Sequence, residues 1–156
     1  MSKKRHIEII ARGVCVMGGK LLLCHAKGKW NTYLPGGHVE FKEMVRRGLE
    51  REILEETGLK AKAGRFLGAV EHTFKQEGER HCEINLVFEF SVPGLRPDRA
   101  PKSCEDHIEF LWAPLSLLRR HAVEPAVLRR FVPRWLAEAR GAPRWTSTYA
   151  PAGAGD

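Results

Sequence analysis

Two apolar segments open the chain, and a pair of glycines separates them. Hydrophobic side chains dominate residues 6–17 and 20–25, and Gly18-Gly19 lies between the two runs. A glycine pair between apolar runs favours a tight hairpin turn, because both turn residues can take positive φ. We therefore predict a β-hairpin at this end of the chain.

A second strand pair is predicted over residues 65–75 and 81–92, joined by the polar segment 76–80. The later strand alternates between two faces, which is typical of a half-buried strand. Its apolar face is formed by Cys82, Ile84, Leu86, Phe88 and Phe90. Its polar face is formed by His81, Glu83, Asn85 and Glu89. A further short strand is predicted at 107–112, after a proline-rich loop at 93–105.

Helical patterns occupy three other stretches. Residues 43–57 have helical periodicity, and Gly58 follows them at the position where glycine commonly ends a helix. Another helix is predicted from Pro114, because proline suits the first helical turn. The last runs from about residue 124 to 139, and we expect Pro133 to end or kink it.

The predicted order is therefore β-β-loop-α-β-β-β-α-α, with the loop at 30–42 centred on Pro35-Gly36-Gly37. This order indicates the α/β class, as a mixed β-sheet flanked by helices. The length allows one domain, which we expect over residues 1–140. Residues 141–156 are rich in small residues, and we expect a flexible tail that only Trp145 or Tyr149 could hold in place.

Composition excludes several classes of protein. Of the 156 residues, 43% are hydrophobic and 29% are charged, which is typical of a globular rather than a disordered chain. No segment approaches the roughly 20 apolar residues that a membrane span needs. The four cysteines lack C-x-x-C spacing and no export signal is apparent, so we expect reduced thiols and a cytoplasmic location. The net charge of +7 favours an anionic partner such as a nucleotide or a nucleic acid.

The candidate chemistry lies in a cluster of glutamates on the first predicted helix. Glu52, Glu55 and Glu56 follow i, i+3, i+4 spacing, which places them on one side of a helix, and Glu40 and Glu43 precede them. These carboxylates repel one another unless a cation neutralises them, and Mg²⁺ prefers such oxygen ligands. The alternative is a solvated acidic helix face with Glu–Arg pairs.

Residues 37–59 resemble the signature of the Nudix hydrolase family. In that pattern a glycine is followed after five residues by Glu, and after seven more by Arg-Glu, an aliphatic residue, any residue, Glu-Glu, any residue, Gly and an aliphatic residue. Every constrained position matches, as Gly37, Glu43, Arg51, Glu52, Ile53, Glu55, Glu56, Gly58 and Leu59. The resemblance implies an α/β/α sandwich over residues 6–140. It also implies metal-dependent hydrolysis of a nucleoside diphosphate linked to another group, by attack of water at phosphorus.

The resemblance also implies roles for individual residues. Glu52, Glu55 and Glu56, with the Gly37 carbonyl, would bind Mg²⁺ or Mn²⁺. Glu52 is also the first candidate to deprotonate the attacking water. Arg51 and Glu43 would brace the helix and its loop as an ion pair.

In some family members a loop beyond the signature supplies the general base. Here Glu105 is the leading alternative, followed by Asp106 and Glu109.

Three further residues are candidates for contact with substrate. Glu40 binds substrate or an outer metal ion, or is a plain exposed loop residue. Phe74 stacks on a base or packs in the core. His72 contacts substrate or lies at a polar rim.

The sequence also bears on the substrate. The proline and tyrosine that mark ADP-ribose and dinucleoside polyphosphate hydrolases of this family are missing at their expected place downstream. The remaining class is MutT-like and acts on nucleoside triphosphates or similar small nucleotides. The alternatives are an enzyme acting on the 5′ end of RNA, which the Arg-rich segment 119–134 permits, and a non-catalytic nucleotide-sensing module. A homodimer is possible through an edge strand or the C-terminal helix.

Overall fold

The computed structural model describes residues 5–138 and 143–149. The strands are β1 Glu8–Val14, β2 Val16–Met17, β3 Lys20–Ala26, β4 Thr32–Tyr33, β5 Gly36–His38, β6 Lys62–Gln76, β7 Glu79–Ser91, β8 Ile108–Pro114 and β9 Trp145–Ser147. The helices are α1 Val45–Thr57 and α2 Leu128–Leu136, and a single 3₁₀ turn covers Leu115–Leu117.

The strands form two sheets. The larger sheet has the order β5-β1-β7-β6-β9. Its β1–β7 and β6–β9 pairs are parallel, whereas β1–β5 and β6–β7 are antiparallel. In the smaller sheet β3 pairs antiparallel with β2, β4 and β8. The predicted α/β class with a mixed sheet is therefore confirmed.

Apolar side chains fill the space on both faces of the larger sheet. On one face, Leu49 and Ile53 of α1 pack against Phe88 and Phe90 of β7. On the other face, α2 packs against β1, β6 and β7, and its Trp135 is 1% exposed. Gly68 permits this close approach, because a Cβ there would lie 2.4 Å from the Trp135 ring. The two helices thus enclose the sheet as an α/β/α sandwich.

The turn glycines behave as predicted. Gly18 and Gly19 have φ of 56° and 72°, so both occupy the left-handed region that the hairpin turn requires. Gly58 ends α1 with φ of 70°, and its N–H donates to the Leu54 carbonyl.

Two helix predictions were wrong in extent. After Pro114 only the turn Leu115–Leu117 forms, since Pro114 itself still belongs to β8, where it pairs with Lys20. The last helix begins at Leu128 instead of about residue 124. Pro133 lies inside this helix, so it does not end it.

Part of the C-terminal segment joins the larger sheet. Trp145–Ser147 pair with Ala69–Glu71 of β6. Arg144 Nη1 donates to the Leu67 carbonyl at 2.8 Å, and Trp135 Nε1 donates to the Pro143 carbonyl at 2.8 Å. Residues 139–142 and 150–156 of the predicted tail lie outside the described residues. In the described part of the chain, neither helix is long and apolar enough to cross a membrane.

Candidate active site

The three α1 carboxylates differ in their exposure. The Glu55 side chain is 52% exposed and the Glu52 side chain 18%. Glu56 is 7% exposed, although it carries a carboxyl group. A solvated carboxylate and a buried one are therefore neighbours within a single turn of α1.

Arg51 holds the exposed part of this cluster together. Its Nε and Nη2 donate to the two oxygens of Glu43 at 2.8 and 3.0 Å. Its Nη1 donates to Glu52 Oε1 at 2.8 Å and to Glu55 Oε1 at 3.3 Å. Nη2 also donates to the His38 carbonyl at 2.9 Å. A planar guanidinium can serve several acceptors at once, so Arg51 ties the helix to the loop that precedes it.

Glu43 completes this connection between loop and helix. Its Oε2 accepts the Glu40 N–H at 2.9 Å. The hydrogen bonds from Arg51, followed by that from the Glu40 backbone, lower the pKa of Glu43 to about 2. Gly48 leaves room for this carboxylate, because a Cβ there would lie 2.9 Å from Glu43 Oε2.

The backbone of Gly36 lies against β1, and that of Gly37 lies against α1. Gly36 has φ of 135°, and a Cβ there would lie 2.0 Å from the Ala11 carbonyl oxygen. A Cβ on Gly37 would lie 2.4 Å from Glu52 Cδ and 2.5 Å from its Oε2. Glycine at these positions therefore lets the strand β5 lie directly beside the Glu52 carboxylate.

Glu56 is the most perturbed acid of the site. Burial raises its pKa to about 8, the charge of Glu52 adds to the increase, and the nearby Arg12 guanidinium opposes it. The Gly36 N–H donates to this carboxylate. Its Oε2, however, is buried without any hydrogen-bond partner. A buried carboxylate oxygen with no partner is costly for a folded protein, and such perturbed acids concentrate at functional sites.

Glu105 approaches the same place from the loop before β8. The Cys104 N–H donates to the Glu56 carbonyl at 2.7 Å, which fixes this loop to the end of α1. The charge of Glu105 also contributes to the raised pKa of Glu56, after burial and the charge of Glu52. Glu105 Oε2 lies 3.3 Å from His107 Nε2. Asp106 and Glu109, the weaker candidates for a base, are exposed.

The donor set fits a hard divalent cation. Its members are carboxylate oxygens of Glu52, Glu55 and Glu56, and one buried oxygen of Glu56 lacks a partner. The contact that Gly37 allows with Glu52 brings backbone to the same carboxylate. Within residues 5–138 and 143–149, no three His, Cys, Asp or Glu side chains yet converge as a ligand cage. Arg51 donates to both Glu52 and Glu55 in this arrangement.

The three predicted substrate-contacting residues lie in different environments. Glu40 is exposed beside the Arg51 network. Phe74 is half-buried outside both apolar clusters and stacks with His72 and His81, each at 5.0 Å between ring centroids. His72 Nδ1 lies 2.8 Å from Thr148 Oγ1, and burial lowers the pKa of this histidine.

Sequence reasoning missed Arg12 and Asn85 near the site, whereas Tyr33 was expected near the cleft as an aromatic suited to a base. Arg12 Nη1 donates to the Leu34 carbonyl at 3.1 Å, and its guanidinium lies 5.6 Å from the Tyr33 ring centroid. Burial raises the pKa of Tyr33 to about 12. Asn85 is 2% exposed. The alternation of β7 gave the face of Asn85, but its burial depends on how distant segments pack.

Comparison with known proteins identifies what this chain is similar to. The model of the NUDIX domain matches residues 6–135. An ADP-ribose pyrophosphatase from Methanocaldococcus jannaschii is 35% identical over 92 residues, which make up 57% of this chain and 53% of that protein. The chain thus spans about half the length of this curated relative.

Solved structures share the fold. The MutT protein from Methanosarcina mazei Go1 is 26% identical with a TM-score of 0.68, and the match covers 89% of this chain and 99% of that one. The E. coli ORF135 protein is 21% identical with a TM-score of 0.62, and the match covers 87% of this chain and 94% of that one.

Proposed function

The chain belongs to the Nudix hydrolase family, and we propose that it is a pyrophosphohydrolase that cleaves a pyrophosphate bond of a nucleoside triphosphate or a similar small nucleotide. The observation that carries this proposal is the buried Oε2 of Glu56, which has no hydrogen-bond partner among the described residues, in a carboxyl group whose pKa is raised by burial and by the charges of Glu52 and Glu105. A cluster of this kind is stabilised by a cation and an anionic ligand rather than by the protein alone.

Nudix hydrolases generally depend on a divalent metal, and we propose Mg²⁺, with Mn²⁺ as an alternative. Glu52, Glu55, Glu56 and the Gly37 carbonyl would hold it. When bound, the metal neutralises charge on the pyrophosphate oxygens. Glu56 is suited to this role because its buried Oε2 has an unused acceptor position.

Side chains of the protein would position the attacking water and accept its proton. Glu52 is the proposed base, since its partly exposed carboxylate adjoins the Gly37 backbone. Arg51 fixes the orientation of Glu52 through the 2.8 Å hydrogen bond to Oε1. Glu105 is the alternative base, because its only ion pair among the described residues is with the exposed His107. Either carboxylate would take the proton of the attacking water.

The choice of substrate rests on the sequence and on the size of the domain. ADP-ribose is the second candidate, because a relative that is 35% identical over 92 residues is named an ADP-ribose pyrophosphatase. The expected proline of that class is absent here, which favours the triphosphate.

An RNA 5′ end is less favoured as the substrate, because some arginines of the segment 119–134 make contacts within the protein. Arg129 donates to Glu124 Oε1 and to the Val123 carbonyl, each at 2.7 Å. The guanidinium groups of Arg130 and Arg134 lie 5.8 and 5.9 Å from the Phe131 ring centroid. These arginines are therefore not all available to bind phosphates.

The test is release of phosphate and pyrophosphate from a panel of nucleotides, with and without Mg²⁺. The panel contains nucleoside triphosphates, ADP-ribose, a dinucleoside polyphosphate and a 5′-triphosphate RNA. Glu52→Gln and Glu105→Gln are measured beside the wild-type protein. Glu77→Gln, at the exposed turn between β6 and β7, is the matched control.

We expect Mg²⁺-dependent cleavage of a triphosphate, and a decrease in kcat of about 100-fold or more in Glu52→Gln. A larger decrease in kcat in Glu105→Gln than in Glu52→Gln would identify Glu105 as the base. Turnover that is unaffected by either substitution would refute this site. If nucleotide and Mg²⁺ bind but nothing in the panel is cleaved, the protein is a nucleotide-sensing module instead.

A further inference from the structure

One face of the larger sheet is apolar where α2 covers it and polar beyond that helix. Val14, Val70 and Val87 lie under α2 in the apolar cluster. Further along the same face, β1 and β7 carry polar side chains instead. These are Glu8 and Arg12 on β1, and Glu83 and Asn85 on β7. We call Arg12, Asn85 and Glu83 the polar row.

The polar row is connected and largely buried. Arg12 Nε donates to Asn85 Oδ1 at 3.3 Å, and Asn85 Nδ2 donates to Glu83 Oε2 at 3.2 Å. Asn85 is 2% exposed and Glu83 is 9% exposed. Arginine only donates and a carboxylate only accepts, so the orientation of the Asn85 amide is determined by its two neighbours. Asn85 therefore fixes one oxygen of Glu83.

The row begins beside residues 34–36, where the chain enters β5, and leads away from them along β1. Arg12 pairs in register with Gly36, and its Nη1 donates to the Leu34 carbonyl at 3.1 Å. Glu83 is in register with Glu8, four residues before Arg12 along β1. At about 3.3 Å per residue, that separation is about 13 Å. A nucleoside whose phosphates lie at the Gly36 loop spans a comparable length.

Both oxygens of Glu8 face ring nitrogens, whereas Glu83 beside it has fewer partners. Glu8 Oε1 and Oε2 lie 2.9 and 3.3 Å from the ring nitrogens of His38 and His81. Among the described residues, Glu83 Oε2 accepts a hydrogen bond from the neutral Asn85 amide, which leaves further acceptor positions on the carboxylate. Glu83 lies between Glu8 of β1 and His72 of β6, each in register with it. A carboxylate that is only 9% exposed at this position favours a functional explanation.

We propose, on the basis of the proposed function, that Glu83 makes the protein selective for guanine nucleotides. Asn85 orients the Glu83 carboxylate, which accepts two adjacent N–H groups of the guanine base. Guanine offers its ring N1–H and its exocyclic amino group side by side. Adenine, cytosine and uracil each place an acceptor next to their donor, and hypoxanthine lacks the exocyclic amino group. A buried acceptor that loses its donor gives strong discrimination against the analogue. Glu83 is thus a specificity residue and Asn85 a positioning residue.

The experiment compares GTP with ITP, which differ only by that amino group. The value of kcat/KM is measured for both with Mg²⁺, using the wild-type chain, Glu83→Gln, Asn85→Ser and the control Glu8→Gln. We expect the wild-type protein to prefer GTP by about 10- to 100-fold. The ratio should fall towards one in Glu83→Gln and decrease in Asn85→Ser, and it should keep its wild-type value in Glu8→Gln.

The wild-type ratio tests the proposal without any variant, so a variant that fails to fold does not remove the test. A wild-type ratio near one, or a ratio unchanged in Glu83→Gln, would overturn the proposal while leaving the hydrolase intact. Binding of GTP and ITP is also followed through the shift in melting temperature. If neither is hydrolysed but GTP binds more tightly through Glu83, the base selection holds and the proposed hydrolysis fails.

Discussion

The backbone of Gly37 lies against the carboxylate of Glu52, so closely that a Cβ on residue 37 would be 2.4 Å from Glu52 Cδ. This contact joins the β5 strand to the catalytic helix across 15 positions of sequence. It explains in steric terms why the first glycine of the sequence signature is needed.

Gly37→Ala should therefore reduce activity while leaving the fold intact. The backbone of Gly37 does not require positive φ, so alanine is tolerated there, but the Glu52 side chain must move aside. A displacement of about 1 Å at a catalytic group costs about 100-fold in rate. The measurement is kcat with the best nucleotide, beside the melting temperature. Gly64→Ala is the control, because its Cβ would make an ordinary contact at 3.5 Å with the Glu89 carbonyl oxygen. Full activity in Gly37→Ala would show that the contact is unimportant.

Gly36→Ala should instead destabilise the protein. Its φ of 135° disfavours any side chain, and the added Cβ would lie 2.0 Å from the Ala11 carbonyl oxygen, which cannot move without shifting β1. We expect a loss of about 3 kcal/mol in the free energy of unfolding. Urea denaturation measures it, with Gly64→Ala again as the reference. A variant as stable as the wild-type protein would mean that the loop can adopt a different backbone path.

The ion pair of Glu43 with Arg51 should make stability depend on pH in acid. The pKa of Glu43 is lowered from 4.5 to about 2, so the folded state binds fewer protons than the unfolded state in that range. The contribution of this pair is therefore complete above pH 4.5 and is lost as the pH falls towards 2.

The measurement is the free energy of unfolding from urea titrations across this pH range. Glu43→Gln should be less stable than the wild-type protein at pH 5 and above, and the difference should shrink as the pH falls to about 2. Glu77→Gln, at the exposed turn between β6 and β7, is the control. A difference that does not change with pH would contradict the lowered pKa of Glu43.

Local patterns were sufficient for much of the fold and for the acidic helix. The left-handed glycines at 18, 19 and 58 and the helix that carries Glu52 follow from turn chemistry and periodicity within a few residues. The spacing of Glu52, Glu55 and Glu56 also required no tertiary information.

The burial of Glu83 and Asn85 and the pairing of β9 could not be predicted from the sequence, because both depend on long-range packing. Alternation placed Glu83 and Asn85 on the polar face of a strand, where solvent exposure is the usual outcome. Their burial depends on how far α2 covers the sheet and on Arg12, 73 residues away from Asn85. Likewise, Trp145–Ser147 pair with a strand more than 70 positions earlier in the chain, and no local pattern specifies such a partner.

Because the carboxylate of Glu56 is buried, Glu56→Gln should increase the stability of the metal-free protein and weaken metal binding. In metal-free protein at a pH above about 8, ionised Glu56 is buried with a partnerless Oε2, and glutamine would remove that charge. We expect Glu56→Gln to be more stable than the wild-type protein in EDTA, by about 1 kcal/mol or more. With Mg²⁺ the melting temperature of the wild-type protein should rise, because ligands that bind the folded state stabilise it, and most of this rise should disappear in Glu56→Gln. A variant that is less stable in EDTA, or that keeps the full response to Mg²⁺, would remove Glu56 from the metal site.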